Sequence, residues 1–454
     1  MCSENCFKDF TRYTTLNVLG MIGISCYILA DTFFISKGLG TNGLASLNLA
    51  IPIYSFIHGC GLMIGIGGGS RYSFQKIQQK NNAANHVFTT SVLLAFCFSL
   101  LFFLTGLFFS GNLATYLGAN TSTYGMSKVY IQVILLFAPM FITNNLLICF
   151  VRNDGAPNLA MMAMLMGSFS NIILDYILIF PLNMGMLGAA LATGIAPIIS
   201  LLILSSYFLN KKNGFHLIKQ NFSLTTSVQI LTSGLPSLVT EISSGIVIIV
   251  FNIIILKLTG NTGVAAYGII ANISLVVLAI YTGIAQGVQP LISSSYGAGQ
   301  KANIKALLRY AIITVIILSA IVYLFIFIGS AQIVAVFNSE SNEALQNIAI
   351  TGMKYYFTGI LFAGCNIVTS IYFTSTNNVI PAQIISILRG FVIIIPMAYL
   401  LSTLRGINGI WLAFPVTEII VSIVTVLLWK SSNHLWHRIR IKNATEDKNT
   451  LHHN

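Results

Sequence analysis

The sequence predicts an all-α membrane protein with twelve transmembrane helices in two pseudo-symmetric six-helix lobes. Two observations support this fold class. Of the 454 residues, 56% are hydrophobic and only 7% are charged, whereas a soluble domain carries roughly 25% charged residues. In addition, apolar stretches recur from Tyr13 to Lys430, and each approaches the ~20 residues needed to cross the hydrocarbon core of a bilayer.

Polar clusters and residues such as glycine, proline and asparagine separate the apolar stretches into individual helices. The first six are expected near residues 13–36, 44–69, 86–109, 125–151, 158–180 and 186–209. The second six are expected near residues 228–258, 264–291, 303–328, 347–374, 380–402 and 408–430. The corresponding domains are an N-lobe (1–210), a cytoplasmic linker (211–227), a C-lobe (228–430) and a basic cytoplasmic tail (431–454).

A weak internal repeat supports two equivalent lobes. At an offset of 220 residues, Gly40-Thr-Asn-Gly43 matches Gly260-Asn-Thr-Gly263. Near the end of each half, Gly185-Met-Leu-Gly188 matches Gly406-Ile-Asn-Gly409. Because six spans is an even number, both halves cross the membrane in the same direction and are related by an axis along the membrane normal.

The distribution of Lys and Arg predicts the orientation. If the N-terminus is cytoplasmic, 17 of the 23 basic residues fall in cytoplasmic segments and five fall on the opposite side. Cytoplasmic loops are enriched in Lys and Arg, so both termini are expected in the cytoplasm and the protein in the cell membrane. The net charge of +12 comes from residues scattered over short loops, so we expect no nucleic-acid partner.

Four of the eleven acidic residues lie within predicted helices: Asp31, Asp175, Glu241 and Glu418. Each costs roughly 2.5 to 3.5 kcal/mol at the centre of a membrane helix, so such residues are expected to have a function. Counting ~1.5 Å per residue from the outer helix ends places Asp31 and Asp175 at the depth of Tyr130 and Thr193.

Asn171 precedes Asp175 by one helical turn and shares its face. The five side chains form a predicted coupling-cation site of oxygen atoms only: Asp31, Tyr130, Asn171, Asp175 and Thr193. Such a set suits a hard cation and not a soft metal. The neutral oxygens favour sodium over protons, because a proton does not need them. No other cofactor is expected.

The remaining polar residues provide weaker candidates. Glu241 and Glu418 are candidates for a second coupling site or for substrate carboxylates, and Arg389 is a candidate partner for one of them. Candidate cavity-lining residues are Tyr27, Asn145 and Met164.

Short motifs over nearly the whole chain resemble the multidrug and toxic compound extrusion (MATE) family of bacterial transporters. In the first half they are Asp31-Thr-Phe-Phe-Ile35, Leu49-Ala-Ile-Pro52, Arg152-Asn-Asp-Gly-Ala-Pro157 and Asn171-Ile-Ile-Leu-Asp-Tyr176. In the second half they are Gly234-Leu-Pro236, Ala285-Gln-Gly287, Gln289-Pro290 and Tyr296-Gly-Ala-Gly-Gln300. The order and spacing of these motifs carry the resemblance.

The resemblance implies a two-lobe exporter of amphipathic, usually cationic compounds that is driven by inward sodium or protons. It places coupling at the same five N-lobe residues, and in some members at a helix-7 glutamate, here Glu241. Some relatives bend helix 1 at a proline, but this chain has no proline between Thr11 and Gly43. A bend would therefore have to occur at Gly20 or Gly23.

Three alternatives remain open at this point. A flippase for a lipid-linked oligosaccharide would need several basic groups to hold pyrophosphate, and Arg389 is the only basic residue within a predicted helix centre. An intramembrane enzyme would need a nucleophile with a base, or a set of metal ligands, and we predict no enzyme. A channel is the third alternative. We expect a monomer in membrane lipid that carries small amphipathic cations.

Overall fold

The computed structural model describes residues 4–220, 223–338 and 342–451, and within these ranges the side chains of residues 6–431. Every regular element in this part of the chain is a helix. We number the spans α1 (4–39), α2 (41–77), α3 (Asn81–Tyr116), α4 (Tyr124–Leu136 with Ala138–Asn153), α5 (Pro157–Ile179), α6 (Gly185–Leu209), α7 (224–259), α8 (261–297), α9 (Lys301–Phe337), α10 (Glu343–Ser375), α11 (Val379–Arg405) and α12 (Ile407–Leu451).

The span count confirms the predicted fold class for the described residues. Nine helices are long and apolar enough to cross a membrane, and the bent pair in α4 adds a tenth. The two longest helices, Glu4–Ile77 and Leu224–Gly297, are each interrupted at one glycine and therefore contain two spans. The total is twelve.

The two interruptions confirm the internal repeat at the level of the backbone. Gly40 has φ 67° and ψ −158°, and Gly260 has φ 65° and ψ −157°. Glycine adopts positive φ without the steric penalty that a Cβ brings. Gly185 and Gly406 also share a positive φ, 60° and 57°. The two halves of the chain therefore turn at equivalent glycines.

Helix boundaries differ from the predicted ones in a consistent direction. The first span begins at residue 4 instead of 13, and α9 ends at Phe337 instead of near residue 328. Apolar runs mark only the part of a helix inside hydrocarbon, whereas the backbone stays helical into the polar interface. For the same reason α7 begins at residue 224, inside the predicted linker.

Two spans that we predicted as continuous helices are distorted. The fourth span is bent by 47° between Leu136 and Ala138. Pro139 follows immediately, and a proline lacks the N–H that a continuous helix needs. In α11 one turn, Leu388–Val392, is a π-helix that contains Arg389, and such turns are frequent at functional sites. By contrast, α1 remains helical at Gly20 and Gly23, where it packs closely on Met164 and Leu165 of α5.

The described residues form two large hydrophobic cores, one mainly in each half of the sequence, and a small third cluster in the second half. The larger part of one core comes from residues 35–215 and of the other from residues 251–414. The described part of the linker packs on the first: Phe215 is fully buried, and its ring lies 4.5 Å from that of Phe88. Asp154 accepts a hydrogen bond from the Gly214 N–H at 2.7 Å. Residues 221–222 of the linker and 452–454 of the tail lie outside the described residues.

Because the number of spans is even, α1 begins and α12 ends on one side of the bundle, which we call the terminal side; the other is the far side. The lobes meet in the terminal-side half. A Cβ on Gly67 would lie 2.1 Å from the Ile230 carbonyl oxygen, and one on Gly287 would lie 2.7 Å from the Thr14 Cα. Gly67 and Gly287 are repeat equivalents, so the lobe contact follows the pseudo-symmetry.

Candidate functional site

The Asp31 and Asp175 side chains come together inside the N-lobe. Both are buried, and their carboxyl groups are close enough to interact electrostatically. The close packing of α1 on α5 at Gly20 and Gly23 makes this approach feasible. Asp31 lies eight residues before the far-side end of α1 and Asp175 four residues before that of α5, which is about 6–12 Å from those ends.

The other three predicted ligands are also buried in this region. Tyr130 lies near Thr193 and is close enough to both aspartates for electrostatic interaction. The Thr193 hydroxyl donates to the Ala189 carbonyl at 3.1 Å, so its lone pairs remain available. Asn171 is fully buried one turn from Asp175.

Several oxygen atoms of this set have no hydrogen-bond partner among the described residues. They are Asp31 Oδ1, both carboxyl oxygens of Asp175 and Asn171 Oδ1. Ionised carboxylates only accept hydrogen bonds, so two of them in contact repel each other unless a proton or a cation lies between them. Buried polar atoms are normally satisfied. The geometry therefore fits a pair that binds an exchangeable cation.

A small cavity of about 60 Å³ opens next to this pair within the N-lobe. The three candidate lining residues, Tyr27, Asn145 and Met164, all line it. Thr193 also lines it, and Tyr27 on its wall lies within electrostatic range of Asp31, so the cavity lies close to the carboxylate pair. The Tyr27 hydroxyl is 2.7 Å from the Tyr54 hydroxyl, which places two phenols on the cavity wall.

The two C-lobe glutamates have different partners. Glu418 Oε1 lies 2.5 Å from Arg389 Nε, and its Oε2 accepts from the Asn366 amide at 2.8 Å. The Glu418 side chain is 2% exposed. The predicted pairing of Arg389 with one of the glutamates is therefore observed, while a coupling or substrate role for Glu418 stays a prediction.

Glu241 faces the other lobe. Its Oε2 is 3.4 Å from Nδ1 of His58 on α2. The Glu241 side chain is 31% exposed and the His58 side chain is 19% exposed. The sequence reasoning did not identify this pair. A comparison of depths in the membrane could have identified it. His58 lies 19 residues before the terminal-side end of α2, and Glu241 lies 17 residues after the terminal-side end of α7, so the two lie at similar depths.

A buried polar network joins the lobes on the terminal side, and it too was missed. Arg152 of α4 donates to Asn17 Oδ1 and, at 3.3 Å, to Gln286 Oε1 of α8. Gln289 of α8 donates to Ser70 Oγ at 2.7 Å and exchanges hydrogen bonds with Asn153. The Asn17 amide donates to the Gly283 carbonyl at 2.9 Å. All of these bonds except the one between Arg152 and Asn17 cross from one lobe to the other.

Comparison with known families gives the chain an assignment. A family model described as MatE matches residues 18–177 and 236–400, well over half of the sequence. The chain belongs to the MATE family of transporters. The two matched segments of this MATE chain cover α1–α5 and α7–α11, the equivalent parts of the two lobes.

Individual MATE relatives resemble the chain over nearly its whole length. The multidrug export protein MepA of Staphylococcus saprophyticus is 27% identical over 427 residues, which cover 93% of each chain. An outward-facing multidrug resistance MATE family transporter of the MOP superfamily matches at a TM-score of 0.86 and 25% identity, with 96% of each chain covered. A MOP superfamily transporter from Pyrococcus furiosus, described as having a binding pocket of reverse polarity, matches at 0.85 with the same identity and coverage.

Proposed function

We propose that this chain exports amphipathic cationic compounds from the cell in exchange for inward sodium. The observation that carries the proposal is the buried Asp31–Asp175 pair, whose oxygens lack protein partners and which adjoins a cavity. The relatives named as multidrug export proteins support drug export. The protein would act as a monomer in the cell membrane, with the terminal side in the cytoplasm.

Sodium is the proposed coupling ion because the site offers oxygen ligands of several kinds. Two carboxylates, the Asn171 amide oxygen and the Tyr130 and Thr193 hydroxyls form a set that suits a hard cation. Among the described residues, no group of three or more His, Cys, Asp or Glu side chains could hold a metal ion.

The proposed cycle rocks the two lobes about the cleft between them. Sodium entering between Asp31 and Asp175 would relieve their repulsion and change the packing of α1 on α5, which favours release of the drug on the far side. One inward monovalent cation yields ~2.3 kcal/mol per 100 mV, and export of a monovalent drug consumes the same amount. One-for-one exchange would therefore be driven only by the sodium concentration gradient, which supplies ~1.4 kcal/mol for each tenfold concentration ratio across the membrane.

The cavity lining favours a cationic cargo over the alternative of a flippase for a lipid-linked oligosaccharide. Pyrophosphate recognition would need Arg or Lys side chains, and the described lining of this cavity contains neither. Arg389 is already paired with Glu418. The nearby acidic groups are Asp31, Asp175 and Glu241, which attract cations.

Everted membrane vesicles from an efflux-deficient host test the proposal. With sodium inside and pH clamped, vesicles containing the protein should accumulate the permanently charged cation tetraphenylphosphonium. Asp31→Asn and Asp175→Asn should abolish accumulation, whereas Glu343→Gln, an exposed carboxylate at the start of α10, should not.

Two outcomes would contradict parts of the proposal. If accumulation does not depend on sodium but depends on a proton gradient, the coupling ion is the proton and not sodium. Full accumulation in both asparagine variants would refute the site. In intact cells, the same variants should lose any resistance to cationic antibiotics that the wild type confers.

A further inference from the structure

His58 and Glu241 form a contact between the lobes at the edge of the N-lobe cavity. The two side chains come from α2 and α7, with 3.4 Å between Nδ1 and Oε2. The helices approach closely at this level, because a Cβ on Gly59 would lie 2.9 Å from Leu238 and 3.1 Å from the Glu241 Cβ. Both side chains are partly exposed, so a solute in the cleft can reach them.

The His58 ring is held in place on the cavity wall. It stacks on Tyr54 with 5.8 Å between ring centroids and 14° between planes. The Asn145 amide donates to the His58 carbonyl at 3.4 Å, and Tyr54 is in turn bonded to Tyr27. His58 lines the cavity together with these three residues. The imidazole is thus positioned where the cavity meets the C-lobe.

The partners of the described intramembrane carboxylates leave Glu241 in a distinct position. Asp31 and Asp175 contact each other, and Glu418 is bound by Arg389. The side chain that faces the Glu241 carboxylate is a histidine, and histidine is the side chain whose charge ordinarily changes between pH 5 and 8. The net charge at this point of the cleft therefore depends on the protonation of His58.

We propose that His58 is a specificity-determining residue that, when protonated, occupies Glu241 as an internal cation and so competes with a cationic substrate. This inference rests on the proposed export of cations. In a cleft of low dielectric, one carboxylate can neutralise one cation but not two, so the imidazolium of His58 and the substrate cannot both be stabilised by Glu241. Deprotonation of His58 frees Glu241 for the substrate, and protonation displaces the substrate.

The surroundings of His58 offer few other titratable groups that could produce the same effect. Glu241 faces it from α7, Tyr54 from its own helix and, through Tyr54, Tyr27 from α1. Asp31 lies beyond Tyr27 within electrostatic range, and α4 contributes the neutral Asn145. Titration of Asp31 and Asp175 is common to the wild type and to His58 variants, so a comparison between these proteins cancels it.

Equilibrium binding of tetraphenylphosphonium to the purified full-length protein tests the inference, because the charge of this probe does not change with pH. The wild type should bind it about fivefold more tightly at about pH 8.5 than at about pH 5.5, which is the upper end for a partly exposed ion pair. His58→Gln should lack this fivefold difference and bind at about pH 5.5 more tightly than the wild type, and His58→Lys should bind weakly at both pH values. His86→Gln, a histidine near the terminal-side end of α3, should behave like the wild type.

The outcomes separate this inference from the proposed function. If His58→Gln retains the pH dependence of the wild type, or His58→Lys binds as tightly as His58→Gln, the competition is refuted while cation export stands. If Glu241→Gln binds the probe as tightly as the wild type at about pH 8.5, Glu241 is not the contested carboxylate and the inference also fails. If the wild type binds no probe at either pH, the proposed export of amphipathic cations is contradicted, and the inference fails with it.

Discussion

The terminal-side network offers a way to shift the equilibrium between lobe arrangements without touching the cation site. Arg152 donates to Gln286 Oε1 across the lobe interface, and the two residues are 1% and 6% exposed. Gln286→Leu removes the acceptor and roughly conserves the side-chain volume. The change should favour the state in which the terminal side is open, because this hydrogen bond forms only when the lobes meet there.

The magnitude follows from the geometry of the bond. Hydrogen bonds to charged groups contribute about 1.5–3 kcal/mol. The Arg152–Gln286 distance of 3.3 Å is longer than the usual N–H to oxygen range, so we expect the lower end, about 1.5 kcal/mol. At ~1.4 kcal/mol per tenfold, the terminal-side-open population should rise about tenfold relative to the closed one.

Double electron–electron resonance measures this population. Spin labels at Asn82→Cys on α3 and Lys305→Cys on α9 report the distance between the lobes on the terminal side, after Cys2 and the exposed Cys26 and Cys97 are replaced by serine.

The matched control for this measurement is Ser319→Ala. It removes a buried hydrogen bond of 2.7 Å to Tyr281 inside the C-lobe and should leave the distance distribution unchanged. An unchanged distribution in Gln286→Leu, or an equal shift in Ser319→Ala, would refute the reasoning.

Two further substitutions test packing and charge. A Cβ at Gly234 would lie 1.8 Å from the Met63 carbonyl oxygen. Gly234→Ala should therefore lower the free energy of unfolding by about 1–3 kcal/mol, measured in a thermal melt. Gly268→Ala, where a Cβ has no neighbour within 4 Å among the described atoms, should not lower it. Arg389→Leu should destabilise the C-lobe by about 3–5 kcal/mol, because it leaves the buried Glu418 unpaired; a double variant with Glu418→Leu that is no more stable than the single variant would contradict this explanation.

The sequence predicts features that depend on one helix or on one lobe. The positions of Asp31, Asp175, Tyr130 and Thr193 follow from depth, since helices of one lobe cross the same membrane and pack side by side. The repeat likewise predicts two lobes, because Gly40 and its equivalent in the second half take the same backbone conformation. Both predictions depend only on how far a residue lies along its helix, and the residue number determines this distance.

Features that depend on the rotation of one lobe against the other are harder to predict. The His58–Glu241 contact and the Arg152–Gln286 bond each need a helix face of one lobe to point at the other. Hydrophobic periodicity normally indicates such a face, but in lipid both the outer and the inner face of a helix are apolar. The bend in α4 is different, because Pro139 signals it and only the apolar continuity of the segment concealed it.

The partner of each intramembrane carboxylate determines what that carboxylate can do. Glu418 is bound by an arginine, which stays charged at any physiological pH, so its charge is neutralised permanently and the pair can hold the C-lobe together. Glu241 faces a histidine, so in our proposal its availability to a cation depends on the charge of that histidine. Asp31 and Asp175 face each other, and only a particle from outside the protein can neutralise them. Of the three, the N-lobe pair is the one whose charge an exchangeable cation would neutralise, and this is why we propose it as the coupling site.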